Sequence, residues 1–271
     1  MSHFRDKTAL VTGGNSGIGR GIALRLAKAG ARLIIVARDP EKGARVVAEV
    51  EAMGGMAEFH ALDLAEANQV TALADRLTSS LGSLDLLVNN AGVGMSRGGV
   101  TRQMGPVERW KALRGPNLDA TYMMSATLLP LLAKSDQGAI VNISSTATWH
   151  GNWGLYCAAK AGIEGLTRAF AAEAASHGVR VNGVSPGWIA TENDATSHPA
   201  GPKGEWALPP SLFNRMGTPD EIAAAVLFLG APDASFITGQ TLIVDGGMMV
   251  IDYPSLPALT ENGDKLRSRP E

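Results

Sequence analysis

A turn with three spaced glycines, set between a short apolar run and a run with helical patterning, constrains this chain more than any other feature. The apolar run covers residues 8–11, the glycines stand at 13, 17 and 19, and apolar residues then recur every four positions from Ile18 to Leu26, as in an amphipathic helix. Glycine accepts positive φ and lets the backbone approach a ligand, and a helix N-terminus attracts anions. The stretch therefore predicts a strand, turn and helix that bind the pyrophosphate of a dinucleotide. A glycine-rich connection without a ligand is the alternative.

Further apolar runs alternate with helix-patterned runs along most of the chain. Continuous apolar runs are typical of strands in a parallel sheet that helices cover on both faces, and strand–helix–strand units connect right-handed. The pattern predicts one α/β domain over residues 1–249, a doubly wound, Rossmann-type, mostly seven-stranded parallel sheet that binds ligands at the C-terminal ends of its strands. Beyond the first strand, strands are predicted at 32–37, 57–62, 84–88, 139–143, 179–185 and 239–245, and helices include 41–53, 66–81 and 107–134.

The overall composition argues against several classes of partner. The 271 residues carry a formal net charge of −2 and are 45% apolar. This charge gives no electrostatic reason to expect binding to nucleic acid or to an anionic membrane. No run of about 18 apolar residues is present, as a membrane-spanning helix requires. The single cysteine, Cys157, is typical of a reducing compartment. We expect a cytoplasmic protein without a metal site.

The residue at the tip of the second predicted strand bears on the choice of cofactor. An acidic residue there would bind the ribose hydroxyls of an unphosphorylated dinucleotide. This chain has Ala37 followed by Arg38, whose guanidinium can bind a 2′-phosphate through two hydrogen bonds. The sequence therefore favours NADP(H) over NAD(H). Asp39 either pairs with Arg38 or turns to solvent, and Arg38 itself can be read as a solvated loop charge.

A tyrosine–lysine pair follows the predicted strand at 139–143. Tyr156 and Lys160 are four residues apart and share one helix face. An ammonium beside a phenol lowers the pKa of the phenol, so that the hydroxyl exchanges a proton with a carbonyl or alcohol oxygen. Ser144 and Ser145, at the end of the strand, offer a hydroxyl that can hold the same oxygen. Alone, such a pair is weak evidence, because helices contain tyrosine–lysine pairs by chance.

Two asparagine-containing segments precede this pair. The segment 89–92, Asn-Asn-Ala-Gly, follows the strand at 84–88, and it either contacts a ligand or only ties the sheet together. Pro116 lies inside the predicted helix 107–134, directly before Asn117. Proline removes a backbone hydrogen bond and predicts a kink there. The kink either frees a carbonyl near Asn117 for water or a lysine, or it serves packing alone.

In this order, the glycine turn, the segment 89–92, Asn117, the serines and the tyrosine–lysine pair resemble the short-chain dehydrogenase/reductase family over roughly residues 7–247. The resemblance implies that Tyr156 is the general acid/base, that Lys160 lowers its pKa and binds ribose, that Ser145 orients the substrate oxygen, and that Asn117 holds a relay water. Ser144 remains the alternative to Ser145. The implied cofactor site comprises Gly13, Asn15, Ser16, Gly17, Ile18, Gly19, Arg38, Asp63, Leu64, Asn90, Ala91, Gly92, Tyr156, Lys160, Pro186, Gly187, Ile189 and Thr191.

The substrate side is predicted from the segments that border this site. Residues 190–215 are rich in proline, glycine and alanine and are predicted to form a lid. Four of the five tryptophans, Trp149, Trp153, Trp188 and Trp206, indicate either an aromatic-lined pocket or lid and subunit contacts. The resemblance implies a homo-oligomer, a tetramer or a dimer. The tail at 250–271 is disordered or crosses a neighbouring subunit.

The leading interpretation is an NADP(H)-dependent oxidoreductase that interconverts a ketone or aldehyde with an alcohol. One alternative is an NAD-dependent dehydrogenase of secondary alcohols, sugars or steroids. A second is a non-catalytic nucleotide-sensing protein, which has no need of Asn117, Ser145, Tyr156 and Lys160 together. The sequence does not identify the small-molecule substrate.

Overall fold

The computed structural model describes residues 3–94, 100–101, 103–192 and 211–250. These residues form a sheet of seven parallel strands in the order β3-β2-β1-β4-β5-β6-β7. The predicted doubly wound α/β fold is therefore confirmed. The strands are β1 (Thr8–Thr12), β2 (Arg32–Ala37), β3 (Met56–Ala61), β4 (Leu86–Asn89), β5 (Ala139–Ile143), β6 (Arg180–Pro186) and β7 (Thr241–Val244).

Helices pack on both faces of the sheet, because successive residues of a strand point to opposite faces. They are α1 (Gly17–Lys28), α2 (Pro40–Ala52), α3 (Ala67–Ser80), α4 (Pro106–Arg114), α5 (Ala120–Leu132), α6 (Gly154–Ala174) and α7 (Pro219–Gly230). In β1, Val11 packs into a core with residues of α1, α2 and α7. The preceding residue, Leu10, packs into a second core with residues of α3, α5 and α6.

The single helix predicted over 107–134 is divided in the structure. Between α4 and α5 lies a π-helical turn, Gly115–Asp119, in which the N–H of Ala120 donates to the oxygen of Gly115. Pro116 has no N–H to donate, so the regular helical ladder is interrupted here. The proline thus produces a wider turn that contains Asn117, the residue implied to take part in catalysis.

The strand order places a crevice at the C-terminal ends of the central strands, between β1 and β4. β1 lies between β2 and β4, so the chain winds in one direction from β1 to β3 and in the other from β4 to β7. In such sheets a ligand binds where the winding reverses, beyond the C-terminal ends of the strands. The loops after β1 and β4 meet at this point, and they carry the glycine turn and the segment 89–92.

Two predicted segments fall mainly outside the described residues. Most of the predicted lid, residues 193–210, and almost all of the predicted tail, residues 251–271, belong to the parts of the chain that the structure does not describe. The lid and the tail therefore stay predictions. Among the described residues, no helix has the length and apolar character needed to span a membrane, and no cluster of three or more His, Cys, Asp or Glu is placed to bind a metal.

Candidate active site

A cavity of about 530 Å³ opens at the C-terminal ends of the strands. This volume lies in the usual range for small-molecule sites, about 300–1,000 Å³. The cavity also touches residues that the sequence did not single out as ligands, including Lys42, Val93 and Pro116. Of the predicted cofactor residues, those that line it are Gly13, Asn15, Ser16, Gly17, Ile18, Gly19, Arg38, Asp63, Leu64, Asn90, Ala91, Gly92, Tyr156, Lys160, Pro186, Gly187 and Thr191.

The glycine turn forms one wall of the cavity and requires its glycines. Gly13 has φ +63, and its N–H donates to the oxygen of Val36 at 2.7 Å. A Cβ on Gly19 would collide with the oxygen of Gly13 and the side chain of Asn90. The backbone is thus packed too closely for any other residue at position 19, and α1 begins at Gly17 with its N-terminus at the cavity. Backbone of this kind fits a dinucleotide pyrophosphate.

Asn90 ties the loops after β1 and β4 together. Its side-chain Nδ2 donates to the oxygen of Thr12 at 2.9 Å, and its backbone N–H donates to the Thr12 hydroxyl, also at 2.9 Å. The N–H of Ala91 donates to the same hydroxyl at 3.0 Å. The two interpretations of the segment 89–92 are therefore compatible, because Asn90 both ties the sheet and lines the cavity.

A carboxylate lies at the N-terminus of α1. Glu192 Oε1 accepts a hydrogen bond from the N–H of Gly17 at 2.7 Å, across 175 residues of sequence. This contact shows that the N-terminus of α1 is accessible to an anion and points into the cavity. The sequence analysis did not single out Glu192. The available signal was its position: it is an acidic residue directly after Thr191, in a segment predicted to border the site.

At the β2 end of the cavity lie two cations and two carboxylates. The Arg38 side chain is 66% exposed, and its Nη1 lies 4.0 Å from Asp63 Oδ2. Asp39 caps α2 rather than pairing with Arg38: its Oδ1 accepts from the N–H of Lys42 at 3.0 Å in a solvent-exposed hydrogen bond. Lys42, in the first turn of α2, lines the same end of the cavity. The signal in the sequence was a second cation shortly after Arg38, just beyond the Pro40 that opens the predicted helix.

Helix α6 carries Tyr156 and Lys160 to the opposite end of the cavity. Lys160 Nζ lies 5.8 Å from the centroid of the Tyr156 ring and donates to the oxygen of Ile143 at 2.8 Å. Lys160 is 4% exposed, and this burial lowers its pKa to about 8. An ammonium in this position is costly, since its hydration is lost.

The expected lowering of the Tyr156 pKa is wrong for this structure. Burial of the hydroxyl raises the pKa of Tyr156, and a hydrogen bond with the Ser145 side chain acts in the opposite direction with a smaller effect. Lys160 Nζ donates to the backbone oxygen of Ile143, and burial disfavours its positive charge. Desolvation of the hydroxyl therefore sets the direction of the Tyr156 shift.

The two candidate serines have different partners. Ser145 hydrogen-bonds the Tyr156 side chain, and its Oγ accepts from the N–H of Ala147 at 3.2 Å. Ser144 is 3% exposed, and its Oγ donates to Glu164 Oε1 at 2.9 Å. Both line the cavity, but Ser145 is the serine beside the phenol. Glu164, which sequence reasoning missed, anchors Ser144 to α6.

Asn117 lies behind the cavity wall rather than on it. The residue is fully buried, its Nδ2 donates to the oxygens of Val93 and Leu113 at 3.0 and 2.8 Å, and its Oδ1 accepts from the N–H of Val93 at 3.2 Å. A Cβ on Gly92 would lie 2.5 Å from Asn117 Oδ1 and 3.3 Å from Lys160 Nζ. Asn117 therefore fixes the loop that faces Lys160.

Ile189 is placed differently from the other implied cofactor residues. It does not line the main cavity, and its side chain packs in the core on the α1 and α7 face of the sheet. It also borders a second cavity of about 140 Å³, together with Trp188. Thr191, two residues later, does line the main cavity. The structure thus brings Thr191, but not Ile189, to the site.

Two of the four tryptophans form a cluster with Tyr156. The ring centroids of Trp153 and Tyr156 are 6.1 Å apart, and those of Trp153 and Trp188 are 5.6 Å apart. Trp149 is 65% exposed, and Trp206 lies outside the described residues. Aromatic side chains therefore lie beside Tyr156, and neither Trp153 nor Trp188 is among the residues that line the main cavity.

Comparison with known proteins agrees with this geometry. A family model described as "Enoyl-(Acyl carrier protein) reductase" matches residues 13–249. The chain is 38% identical over 251 residues to a 3-oxoacyl-[acyl-carrier-protein] reductase, FabG, of Vibrio cholerae, with 92% of this chain and 100% of the relative covered.

Two solved structures extend the comparison to the fold. A short chain dehydrogenase/reductase family protein is 37% identical, with a TM-score of 0.78 over 92% of this chain and 100% of the other. A 7α-hydroxysteroid dehydrogenase, complexed with NADH and 7-oxo glycochenodeoxycholic acid, is 33% identical, with a TM-score of 0.82 over 91% of this chain and 96% of the other. The chain therefore belongs to the short-chain dehydrogenase/reductase family and is an NAD(P)-dependent oxidoreductase.

Proposed function

We propose that the protein is an NADP(H)-dependent carbonyl reductase, which converts a ketone or aldehyde to an alcohol with Tyr156 as general acid. One observation carries this proposal: Ser145, Tyr156 and Lys160 meet at one end of the cavity whose other end holds the glycine turn and Arg38. When bound, the nicotinamide supplies the hydride. The chain supplies a proton donor and a hydrogen bond at the carbonyl oxygen, and it shields both from water.

Each catalytic side chain has a defined part in the proposal. Tyr156 donates its proton to the carbonyl oxygen, and Ser145 donates a hydrogen bond to the same oxygen. Lys160 places a positive charge under the phenol when it is protonated, and it binds the nicotinamide ribose. Asn117 acts through the loop at Gly92, which it fixes beside Lys160, and it supports a relay water there.

The direction of the Tyr156 shift favours reduction. A tyrosine hydroxyl is already protonated at neutral pH, and burial raises the pKa of Tyr156 further, so the phenol is present in the form that acts as an acid. Oxidation of an alcohol would need the phenolate, which burial disfavours. We therefore expect the protein to reduce carbonyls faster at neutral pH and to oxidise alcohols better as the pH rises.

The proposed cofactor preference rests on the cations at the β2 end. Arg38 and Lys42 line that end together, and both can bind a 2′-phosphate. The Asp63 carboxylate, 4.0 Å from Arg38 Nη1, favours the alternative, an NAD-linked dehydrogenase, because its negative charge offsets that of the guanidinium and would repel a 2′-phosphate. The relative solved with NADH points the same way.

We also propose a homo-oligomer in the cytoplasm. Phe236 is fully exposed, and Phe228 of α7 and Leu242 and Ile243 of β7 are each more than 40% exposed. Exposed apolar side chains on an edge strand and an adjacent helix are typical of a subunit interface. Sedimentation of the purified protein tests this part of the proposal, and a monomer at micromolar concentration would contradict it.

The experiment that tests the function follows NADPH and NADH consumption with a panel of ketones and aldehydes, for the wild type and Tyr156→Phe. We expect NADPH-dependent turnover that falls by roughly 10²–10⁴-fold in the variant, with NADPH affinity retained. Turnover that survives in Tyr156→Phe would exclude this mechanism. Nucleotide binding without any turnover would favour the sensor alternative.

A further inference from the structure

We propose that the substrate is a ketone whose carbonyl carbon belongs to, or is attached to, a flat apolar ring system, and that Trp153 and Trp188 bind this ring. The inference rests on the proposed function, because it assumes that Tyr156 holds the carbonyl oxygen. It adds the class of substrate, which neither the family nor the cofactor determines.

The positions of the rings determine what lies next to the reacting carbonyl. The ring centroids of Trp153 and Tyr156 are 6.1 Å apart, and those of Trp153 and Trp188 are 5.6 Å apart. Both indoles are partly buried, and Trp188 also borders the second cavity. In this proposal, a group attached to a carbonyl held by Tyr156 lies against the Trp153 indole.

Two glycines hold these indoles in place. Trp153 ends a 3-10 turn and is followed by Gly154, with φ +53, a conformation that other residues adopt with strain. Trp188 follows Gly187, where a Cβ would lie 2.7 Å from Asp245 Cβ and 2.8 Å from its Cα. The backbone that carries each ring is thus constrained, and the ring contacts between Trp153, Trp188 and Tyr156 limit the side-chain freedom that a ligand would remove on binding.

The arrangement of the two indoles favours a flat ring over a linear chain. Their planes are inclined by 54°, which forms a corner that offers one ring face and one ring edge. A flat ligand ring meets both in the tilted and stacked geometries that aromatic groups prefer. Among the relatives, one is named for a 3-oxoacyl group and another was solved with a fused-ring ketone. The angle between the two indoles favours a fused-ring ketone over a linear 3-oxoacyl group.

The test compares 2-tetralone, a flat bicyclic ketone, with ethyl acetoacetate, a linear 3-oxo ester. NADPH-dependent kcat/KM is measured for Trp153→Ala and Trp188→Ala, with Trp153→Phe and Trp188→Phe as conservative variants. Trp149→Ala is the matched control, because Trp149 is exposed and makes no described ring contact with Tyr156. Saturation-transfer NMR of 2-tetralone with NADP⁺ and each variant reports ketone binding independently of turnover.

We expect the wild type to prefer 2-tetralone, and each alanine variant to lose roughly tenfold in kcat/KM for 2-tetralone with less than about a twofold change for ethyl acetoacetate. The phenylalanine variants should retain most of the activity, and Trp149→Ala should resemble the wild type. Equal losses on both ketones, or no loss on either, would overturn the inference.

The outcomes separate the inference from the proposed function. If ethyl acetoacetate is reduced and 2-tetralone is neither reduced nor bound, the inference is overturned and the function stands. If neither these two ketones nor any member of the ketone and aldehyde panel is reduced, the function fails. In that case saturation transfer to 2-tetralone that is lost in both alanine variants would still support a ring site, and transfer that is absent or unchanged would overturn it.

Discussion

The two ends of the cavity are built in different ways. The end at the glycine turn comes from consecutive residues and uses mainly backbone, with Gly13 at positive φ and Gly19 too closely packed for a side chain. The end at Tyr156 uses side chains that three separate segments bring together, after β5, on α6 and after β6. Backbone groups keep their charge in any surroundings, whereas the protonation of Tyr156 and Lys160 depends on burial. The shape of the glycine turn is therefore set locally, whereas the protonation of the Tyr156 end is set by the whole fold.

Among the variants that separate the two ends of the cavity, we expect the largest change in turnover at the two serines, Ser144 and Ser145. Ser145→Ala should lower kcat by roughly 10²–10³-fold with little change in NADPH affinity, because it removes a hydrogen bond to the reacting oxygen. Ser144→Ala, at a neighbouring position bonded to Glu164, should cost much less in kcat. Steady-state kinetics together with NADPH titration measure both. A larger loss in Ser144→Ala would assign the role to Ser144 instead.

Burial of Lys160 should also appear in the pH dependence of stability. Its pKa is about 8 in the folded protein against 10.5 for the free side chain. Between these values the unfolded chain binds more protons, so stability rises with pH, and below pH 8 the cost of the buried ammonium is fully present. Relative to Lys160→Met, we expect the wild type to gain about 3 kcal/mol between pH 7.5 and 10.5. Urea unfolding measures this difference, and a pH-independent difference would contradict the shift.

At the cofactor end, removing the charge of Arg38 or Lys42 should weaken NADPH binding without changing the rate of hydride transfer from bound NADPH. Arg38→Ala should weaken NADPH binding roughly 10- to 100-fold, since it removes a charge-assisted contact to the 2′-phosphate. Lys42→Ala should weaken it less, and NADH binding should change little in either variant. Fluorescence titration with both nucleotides is the measurement. If NADPH and NADH affinities fall equally, Arg38 does not bind a 2′-phosphate.

The smallest expected effect concerns Glu192, which occupies a backbone donor at the cofactor end. Its contact with Gly17 must be given up when a pyrophosphate binds the same N–H. Glu192→Ala should therefore tighten NADPH binding roughly fivefold, the equivalent of one net hydrogen bond. Glu192→Gln keeps an acceptor without the charge and should give a smaller gain. Weaker NADPH binding in Glu192→Ala would mean that the carboxylate supports the bound cofactor.

Much of the fold follows from local patterns. β2 and β5 have the predicted bounds, and the order of strands and helices is as predicted, because apolar runs and helical spacing report burial directly. The helix predicted over 107–134 is interrupted at Pro116, where a kink was predicted, and the interruption is a π-helical turn at Gly115–Asp119. The apolar pattern did not show the hydrogen bonds from Asn117 to Leu113 and Val93, because they depend on how this turn packs against the loop at Val93.

The sequence by itself determined the features that depend on neighbouring residues: the glycine turn and the helix after it, the shared helix face of Tyr156 and Lys160, and the doubly wound sheet. Only the tertiary structure decided which serine lies beside Tyr156, that burial raises rather than lowers the Tyr156 pKa, and that Glu192 reaches Gly17. The physical reason is that φ, ψ and helical spacing are local quantities. Desolvation and contacts between distant segments exist only once the chain has folded.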